Sequence, residues 1–261
     1  MTTQHTTTER LQPVELAAME ANKLAEIASH ERDKRQRPAV WSKPFHPEWH
    51  PDLWTKWAVV DHALRALGVQ PGARVLDVGC GPGWTSLFLS EAGYRVLGID
   101  IAPAHVEISR GRAQRWSCED LRFAQADMDA FALDELFDVV LVFDALHHSA
   151  RQRQVIRNIA HHLAPGGWVL FGEPSLLHAV SPGARRTHRQ TGWIERGIGA
   201  RQLRRDCEAA GLGEVRRFHE GTYPYESRLR GFGWQLLRLT AANVAFAPQS
   251  SIWLAARKPL S

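Results

Sequence analysis

The feature that most constrains the fold is a regular alternation of short apolar segments with helical segments between residues 58 and 174. Each apolar segment is six or seven residues long, which suits a strand buried on both faces better than a helix. Strands that alternate with helices predict an α/β fold with a doubly wound parallel sheet. The five predicted strands are residues 74–79, 95–100, 121–127, 137–143 and 167–173.

Helices and two further strands are predicted around this alternation. Pro13 suits the first turn of an amphipathic helix that runs to about Arg37. The other helices are predicted over residues 57–67, 84–92, 103–116, 128–135, 151–163 and 200–210. The late strands are predicted at 214–218 and 250–256, with a long insertion at about 219–248 between them.

Residues 41–57 have a composition that no regular element shares. They hold four tryptophans, one phenylalanine, two histidines and three prolines in 17 residues. The prolines break any helix before about Asp52, so we expect an aromatic loop that is either a lid over a ligand or packing for an edge of the core. The domain division predicted from this is 1–57 for the N-terminal helix and aromatic lid segment, and 58–261 for the main domain. His46 and His50 lack accompanying ligands, so no metal site is predicted.

Composition excludes several classes of protein. With 261 residues, 44% hydrophobic and 23% charged, the chain matches globular proteins and is too apolar for a disordered one. No apolar stretch is long enough for a transmembrane helix, and the first residues lack the core of a signal peptide. Three widely spaced cysteines indicate no disulfide framework. We therefore expect a cytoplasmic protein without a membrane partner.

The net charge of +4 is concentrated late in the chain. Residues 181–238 hold twelve arginines and six acidic residues, whereas 58–180 are net acidic. Such a segment suits an anionic or nucleic-acid partner, because arginine pairs well with phosphate. Arginine outnumbers lysine 27 to 5 over the whole chain, however, and a solvated helix face explains the same pattern. A nucleic-acid partner is therefore disfavoured.

The string V-L-D-V-G-C-G-P-G, which ends the first predicted strand, is the strongest chemical motif. Gly79, Gly81 and Gly83 let the backbone approach a ligand closely, and Asp77 precedes them by two residues. The spacing differs from the G-x-G-x-x-G of dinucleotide-binding proteins. A carboxylate beside the loop favours a cationic ligand over a pyrophosphate.

Acidic residues also end the next two predicted strands. Asp100 ends the second strand, 23 residues after Asp77, and Asp127 ends the third. The carboxyl ends of parallel strands meet at one edge of a sheet, and a carboxylate there accepts hydrogen bonds from ribose hydroxyls. The pattern therefore predicts a nucleoside cofactor.

At this point the sequence resembles the class I S-adenosylmethionine-dependent methyltransferases, on its small-molecule branch. The strings LDVGCGPG, GIDI, QADM, FDVVLVFDALHH and LAPGGWVLFGE carry the resemblance, which covers residues 58–174. It implies a Rossmann-like seven-stranded sheet with an antiparallel last strand, and S-adenosylmethionine as cofactor. The two late strands then fit positions six and seven of that sheet.

The resemblance also implies which residues bind the cofactor. The glycine loop would hold its methionyl end, with Asp77 on the side of the ammonium group and Cys80 as a small buried filler. Asp100 would accept the ribose hydroxyls and Asp127 the exocyclic amine of adenine. The full expected set is Asp77, Gly79, Cys80, Gly81, Gly83, Asp100, Ile101, Asp127, Met128 and Asp144, where Ile101 and Met128 flank the adenine and Asp144 lines the passage to the methyl group.

Methyl transfer to a hydroxyl group needs aligned reactants and a general base. His147, His148 and Glu173 follow the fourth and fifth strands and are the candidate catalytic residues, with His178 further along. A histidine with an ordinary pKa takes up a proton at neutral pH. The other interpretation is that these histidines only order the loop.

The acceptor is predicted to be a hydroxyl-bearing small molecule, such as a secondary metabolite or a sugar-containing compound. Residues 144–147 read D-A-L-H, whereas family members that methylate amino groups carry two prolines there. No cysteine is placed for attack on cytosine. A nucleic-acid methyltransferase and a non-catalytic cofactor-binding module remain as alternatives. The N-terminal helix is consistent with a lid or with the arm of a homodimer.

Overall fold

Seven strands form a single sheet in the computed structural model, which describes residues 13–36, 42–46, 50–176, 178–191, 196–219 and 251–260. The strands lie in the order 3-2-1-4-5-7-6. The first five are parallel, and the seventh is antiparallel to both of its neighbours, so the predicted fold class is confirmed. The strands are β1 (Arg74–Val78), β2 (Arg95–Asp100), β3 (Leu121–Gln125), β4 (Phe137–Phe143), β5 (Leu163–Pro174), β6 (Gly213–Phe218) and β7 (Ser251–Arg257).

The described helices cover both faces of this sheet. They are α1 (Pro13–Gln36), α2 (His50–Ala66), α3 (Trp84–Glu91), α4 (Pro103–Trp116), α5 (Gln152–His162), α6 (Pro182–Thr191) and α7 (Ala200–Ala209). Short 3-10 turns follow β4 at Leu146–His148 and β5 at His178–Val180. None of the helices in these ranges is both long enough and apolar enough to cross a bilayer.

Apolar side chains on the two faces of the sheet form two hydrophobic layers. Successive side chains point to opposite faces of a strand, so Val75 and Leu76 of β1 enter different layers. Leu76 belongs to the layer that α5 and α7 cover, through residues such as Ile156 and Leu203. Val75 belongs to the layer beneath α2, α3 and α4, with Leu64 as one of its members. The carboxyl edge of the parallel strands is left between these helices.

Two sequence predictions are wrong in detail, and one helix was not predicted. The predicted helix over 128–135 is a turn followed by irregular chain. α2 begins at His50, earlier than predicted, because Pro51 is tolerated in a first turn, and the helix runs through residue 57. α6 was not predicted, since it lacks an apolar stripe. The proposed insertion at 219–248 lies, apart from His219, outside the described residues.

We predict that Gly172→Ala destabilises the protein. Gly172 pairs with Trp253 across β5 and β7, and an added Cβ would overlap the buried indole ring. Such overpacking costs about 1–3 kcal/mol of the free energy of unfolding, which urea titration measures. Gly111→Ala is the matched control: it is exposed in α4 with no heavy atom near the added Cβ, and a gain of roughly 0.5–1 kcal/mol is expected. Equal effects at both positions would contradict this packing.

Candidate functional site

The glycine loop connects β1 to α3 and presents bare backbone at the carboxyl edge of the sheet. Gly79 and Gly81 have φ angles of +71° and +53°. Residues with a side chain rarely adopt this left-handed backbone conformation. A Cβ on Gly79 would overlap the side chain of Ala145, whereas Gly81 has no heavy atom within 4 Å of that position. The loop is therefore packed from behind at Gly79 and open to a ligand at Gly81. Gly83 completes the turn, with a φ angle of +75°.

Asp77 lies behind this loop and not on its open side. Its side chain is buried, and its Oδ2 accepts hydrogen bonds of 2.6 Å from the hydroxyls of Thr85 and Ser86 in the first turn of α3. Burial raises the pKa of Asp77 to about 6, although the hydroxyl of Ser86 opposes the shift. The carboxylate thus anchors the loop to α3, and its expected contact with an ammonium group stays a proposal.

Asp100 connects the end of β2 to the glycine loop. Its Oδ2 accepts the backbone N–H of Gly81 at 2.8 Å, and its Oδ1 accepts that of Ala102 at 2.9 Å. Oδ1 also lies 3.1 Å from Nδ1 of His105 in α4. Burial is the largest single influence and opposes the charge, but the hydrogen bonds from His105 and from the N–H of Ala102, together with the nearby imidazoles, lower the pKa of Asp100. The carboxylate is therefore held ionised beside the open position of the loop.

Two further carboxylates lie just after β3. Asp127 accepts the N–H of Asp129 on Oδ1 at 2.9 Å, and its Oδ2 lies 2.5 Å from Nζ of Lys23 in α1. Asp129 is buried, 3.0 Å from the same Nζ, and accepts the hydroxyl of Ser149 at 2.6 Å. The sequence did not single out Asp129, although its spacing of two from Asp127 was a usable signal. This turn replaces the predicted helix, because both carboxylates are held by distant partners.

The apolar residues expected at the cofactor border the same loop. The end of the half-buried Met128 side chain lies near Gly79. Ile101 is half-buried, and its carbonyl accepts a hydrogen bond from Gln125. Cys80 is buried, and burial together with the charge of Asp100 raises the pKa of its thiol well above the usual value. Cys80 is therefore an unreactive filler, as expected.

Asp144 follows β4 and faces solvent beside several positive groups. Its φ angle is +54°, and its N–H donates to the carbonyl of Gly172 at 2.9 Å. Desolvation opposes its charge, but His147, Lys56 and Lys43 outweigh this and lower the pKa of Asp144 to about 2. The end of β4 therefore presents a permanently ionised carboxylate.

His147 and Glu173 form a buried pair at the ends of β4 and β5. Nδ1 of His147 lies 2.9 Å from Oε2 of Glu173. Glu173 has no exposed surface and also accepts backbone N–H groups from Ala145, Leu146 and His147. The ring of the half-buried His148 lies 3.9 Å from that of His147. Glu173 is thus placed to orient His147, and its own oxygens are occupied.

We use the term acceptor end for the carboxyl ends of β4 and β5. An aromatic wall is connected to it through Trp84, whose ring contacts both Phe143 at the end of β4 and Phe88. Phe45, Trp54 and Trp57 surround Phe88 of α3, at ring distances of 6.1, 5.2 and 5.1 Å. Phe45 is 51% exposed, whereas Trp57 is half-buried. The described part of the 41–57 segment therefore packs on the main domain while leaving aromatic surface open. Both a lid and core packing are consistent with these contacts.

The predicted carboxylates lie at the ends of neighbouring strands, but the sequence did not indicate their partners. His105 and Lys23 each contact a predicted carboxylate, and neither stands in a recognisable motif. In the part of the chain that the structure describes, no three His, Cys, Asp or Glu side chains converge as metal ligands do. The open backbone at Gly81, beside ionised Asp100 and near Asp127, fits the nucleoside and amino-acid parts of S-adenosylmethionine.

Comparison with known proteins agrees with this geometry. Residues 75–167 match the model of a family described as a methyltransferase domain. Over this part of its length the chain is therefore similar to S-adenosylmethionine-dependent methyltransferases. It is similar to a ubiquinone biosynthesis O-methyltransferase of Paracidovorax citrulli, with 31% identity over 110 residues, which are 41% of this chain and 46% of that protein.

Two other similarities concern a curated protein and a solved structure. A 27-O-demethylrifamycin SV methyltransferase of Amycolatopsis mediterranei is 35% identical over 118 residues, which are 44% of this chain and 43% of that protein. Both curated relatives are thus matched over less than half of their length. The structure of the cyclase SpnF superimposes with a TM-score of 0.62 and 18% identity, covering 94% of this chain and 97% of that one. That likeness concerns the fold alone.

We predict that Asp77→Asn changes how stability depends on pH. The folded pKa of about 6 lies above the usual value, so the folded state binds the proton more tightly. The contribution of Asp77 to stability is therefore greatest at low pH and falls as pH rises through 6. The Asn oxygen still accepts both hydroxyls but does not titrate.

The free energy of unfolding of Asp77→Asn, relative to the parent protein, should rise by about 2 kcal/mol between about pH 4 and about pH 8. Urea titrations across this range measure it. Asp134→Asn, which removes the charge of an exposed carboxylate, is the matched control and should leave the profile parallel to that of the parent. Parallel profiles for both variants would contradict the raised pKa of Asp77.

Proposed function

We propose that this protein transfers the methyl group of S-adenosylmethionine to a hydroxyl group of a small molecule. The observation that carries the proposal is the meeting of two sets of groups at one sheet edge. Asp100 and Asp127 flank the glycine loop at the ends of β2 and β3, while His147 and Glu173 lie at the ends of β4 and β5. A cofactor site thus adjoins a candidate acid–base site.

The cofactor end has a role for each predicted residue. Gly81 leaves space beside its Cα for the methionyl part, Asp100 accepts the ribose hydroxyls, and Asp127 accepts the adenine amine. Asp144 lines the passage between this end and the acceptor end. When bound, S-adenosylmethionine supplies a methyl group on a sulfonium sulfur, which keeps the electron pair of the broken bond.

His147 is proposed as the general base. Glu173 accepts a hydrogen bond from Nδ1–H of His147, which leaves Nε2 as the proton acceptor. That nitrogen takes the proton from the acceptor hydroxyl as its oxygen bonds to the methyl carbon. The oxygens of Glu173 already accept three backbone N–H groups and contact the His147 ring, so its proposed role is to position His147 and not to act as the base.

The acceptor end favours a small molecule with an apolar body. The aromatic wall supplies ring surface, and Lys43 and Lys56 supply positive charge beside Asp144. The described arginines of the later chain give less support for nucleic acid, since Arg204 pairs with Glu208 and Arg216 with Glu214. The two curated relatives are named as enzymes of quinone and rifamycin biosynthesis, which supports a metabolite as acceptor.

We further propose that the aromatic segment 41–57 acts as a lid for the acceptor, and that the activity takes place in the cytoplasm. The free thiols of Cys80 and Cys207 support a reducing compartment.

The first prediction from this proposal concerns cofactor affinity. Asp100→Ala should weaken binding of S-adenosylhomocysteine by about 10- to 100-fold, because a charge-assisted hydrogen bond to the ribose is lost. Isothermal titration calorimetry measures it. Asp134→Ala removes an exposed carboxylate far from the loop in sequence and should bind as the parent does. Unchanged affinity in a folded Asp100→Ala protein would exclude the cofactor assignment.

The second prediction concerns the acceptor and the base. With methyl-labelled S-adenosylmethionine and a cell extract, we expect label in the small-molecule fraction with the parent protein and none with Asp100→Ala. Label in nuclease-sensitive material would support the nucleic-acid alternative, and label in neither would support the binding module.

With the acceptor so identified, His147→Ala and Glu173→Gln should each lower kcat by about 10²- to 10⁴-fold. The affinity for S-adenosylhomocysteine should stay unchanged in both variants. His148→Ala is the comparison for the neighbouring imidazole and should lower kcat less. Full turnover in both His147→Ala and His148→Ala would leave alignment of the reactants as the source of catalysis.

A further inference from the structure

α1 lies across the cofactor end of the site and contacts its carboxylates directly. The helix packs on α4 and α6. Lys23 and His30 are seven residues apart, two helical turns, and so lie on the same side of the helix. The Lys23 side chain is only 18% exposed. Residues more than a hundred positions apart in the chain thus meet at this edge.

Lys23 forms an ion pair with Asp127, the carboxylate that is expected to bind the adenine amine. Its Nζ lies 2.5 Å from Oδ2 of Asp127 and 3.0 Å from Oδ2 of Asp129. The other oxygen of Asp127 already accepts the N–H of Asp129. Both oxygens of Asp127 therefore have donors, and an ammonium group is a stronger donor than the neutral amine of adenine.

A second contact ties α1 to the ribose carboxylate. The ring of His30 lies 3.9 Å from that of His105, centroid to centroid. His105 in turn contacts Oδ1 of Asp100 through Nδ1. Two turns of one helix thus engage the carboxylates at the ends of both β2 and β3, which are the two that a nucleoside would use.

We propose that Lys23 is a latch that ties α1 to Asp127 at the adenine end of the cofactor site and competes with the adenine amine for that carboxylate. Binding of the cofactor breaks the Lys23–Asp127 contact, while Asp129 keeps the ammonium group. The inference rests on the proposed function, because it takes Asp127 as the partner of the amine. The apparent affinity is then the intrinsic affinity reduced by the fraction of molecules in which the latch is open.

A latch and a purely structural lysine predict opposite effects on binding affinity when Lys23 is removed. A lysine that only orients Asp127 would support both folding and binding, so its removal would weaken both. A latch stabilises the ligand-free protein but opposes the ligand, so its removal lowers the melting temperature and strengthens binding. A loss of stability together with a gain of affinity therefore excludes a purely structural role for Lys23.

The test is Lys23→Met, with S-adenosylhomocysteine as the probe in calorimetry. We expect Kd to fall about three- to tenfold and the Tm of the ligand-free variant to fall as well. Arg32→Met removes an exposed charge from the same helix and is the matched control, with both quantities unchanged. An equal or higher Kd in Lys23→Met would overturn the latch while leaving the cofactor site intact. Absence of binding in both the parent and Lys23→Met would overturn the cofactor site itself, and the latch with it.

A second ligand separates competition from a general effect on the pocket. In S-inosylhomocysteine a carbonyl replaces the exocyclic amine, so the base accepts a hydrogen bond from Lys23 and does not compete for Asp127. Lys23→Met should therefore strengthen binding of S-adenosylhomocysteine and leave unchanged or weaken that of S-inosylhomocysteine. An equal gain for both ligands would show that the variant only loosens α1, which contradicts the latch.

Discussion

The parallel pairing of β1 to β5 is the constraint on which the rest of the site depends. Parallel strands all end at the same edge, so the residues that follow them are neighbours in space although they lie far apart in the chain. Asp100, Asp127 and Asp144 come together for this reason alone. The same edge receives α1 from the N-terminal part, whose Lys23 contacts Asp127 and Asp129.

Concentrating acidic groups at one edge carries an electrostatic cost that the structure offsets locally. Asp77 is stabilised by hydroxyls at the start of α3, Asp100 by backbone N–H groups, and Glu173 by three N–H groups and an imidazole. Buried charges without such partners are strongly unfavourable. Each carboxylate therefore also fixes a piece of backbone, so the binding groups and the loop geometry depend on each other.

The two ends of the site differ in how far their side chains are already arranged for a ligand. At the acceptor end, the buried His147–Glu173 pair is already oriented and needs no rearrangement. At the cofactor end, Lys23 and His105 occupy positions that a nucleoside would use. The N-terminal helix therefore contacts the carboxylates that follow β3, whereas the His147–Glu173 pair is held between the ends of β4 and β5.

The sequence by itself determined the strands, the glycine loop and the strand-end acids, because each depends on local periodicity or on a short motif. β2 and α4 lie where the pattern predicted, whereas the predicted helix over 128–135 is absent because Asp129 is held by Lys23 and Ser149. Only the tertiary structure decided that Glu173 is buried behind His147 and that α1 reaches Asp127. Those contacts join residues 26 and 104 positions apart, and no local propensity encodes them.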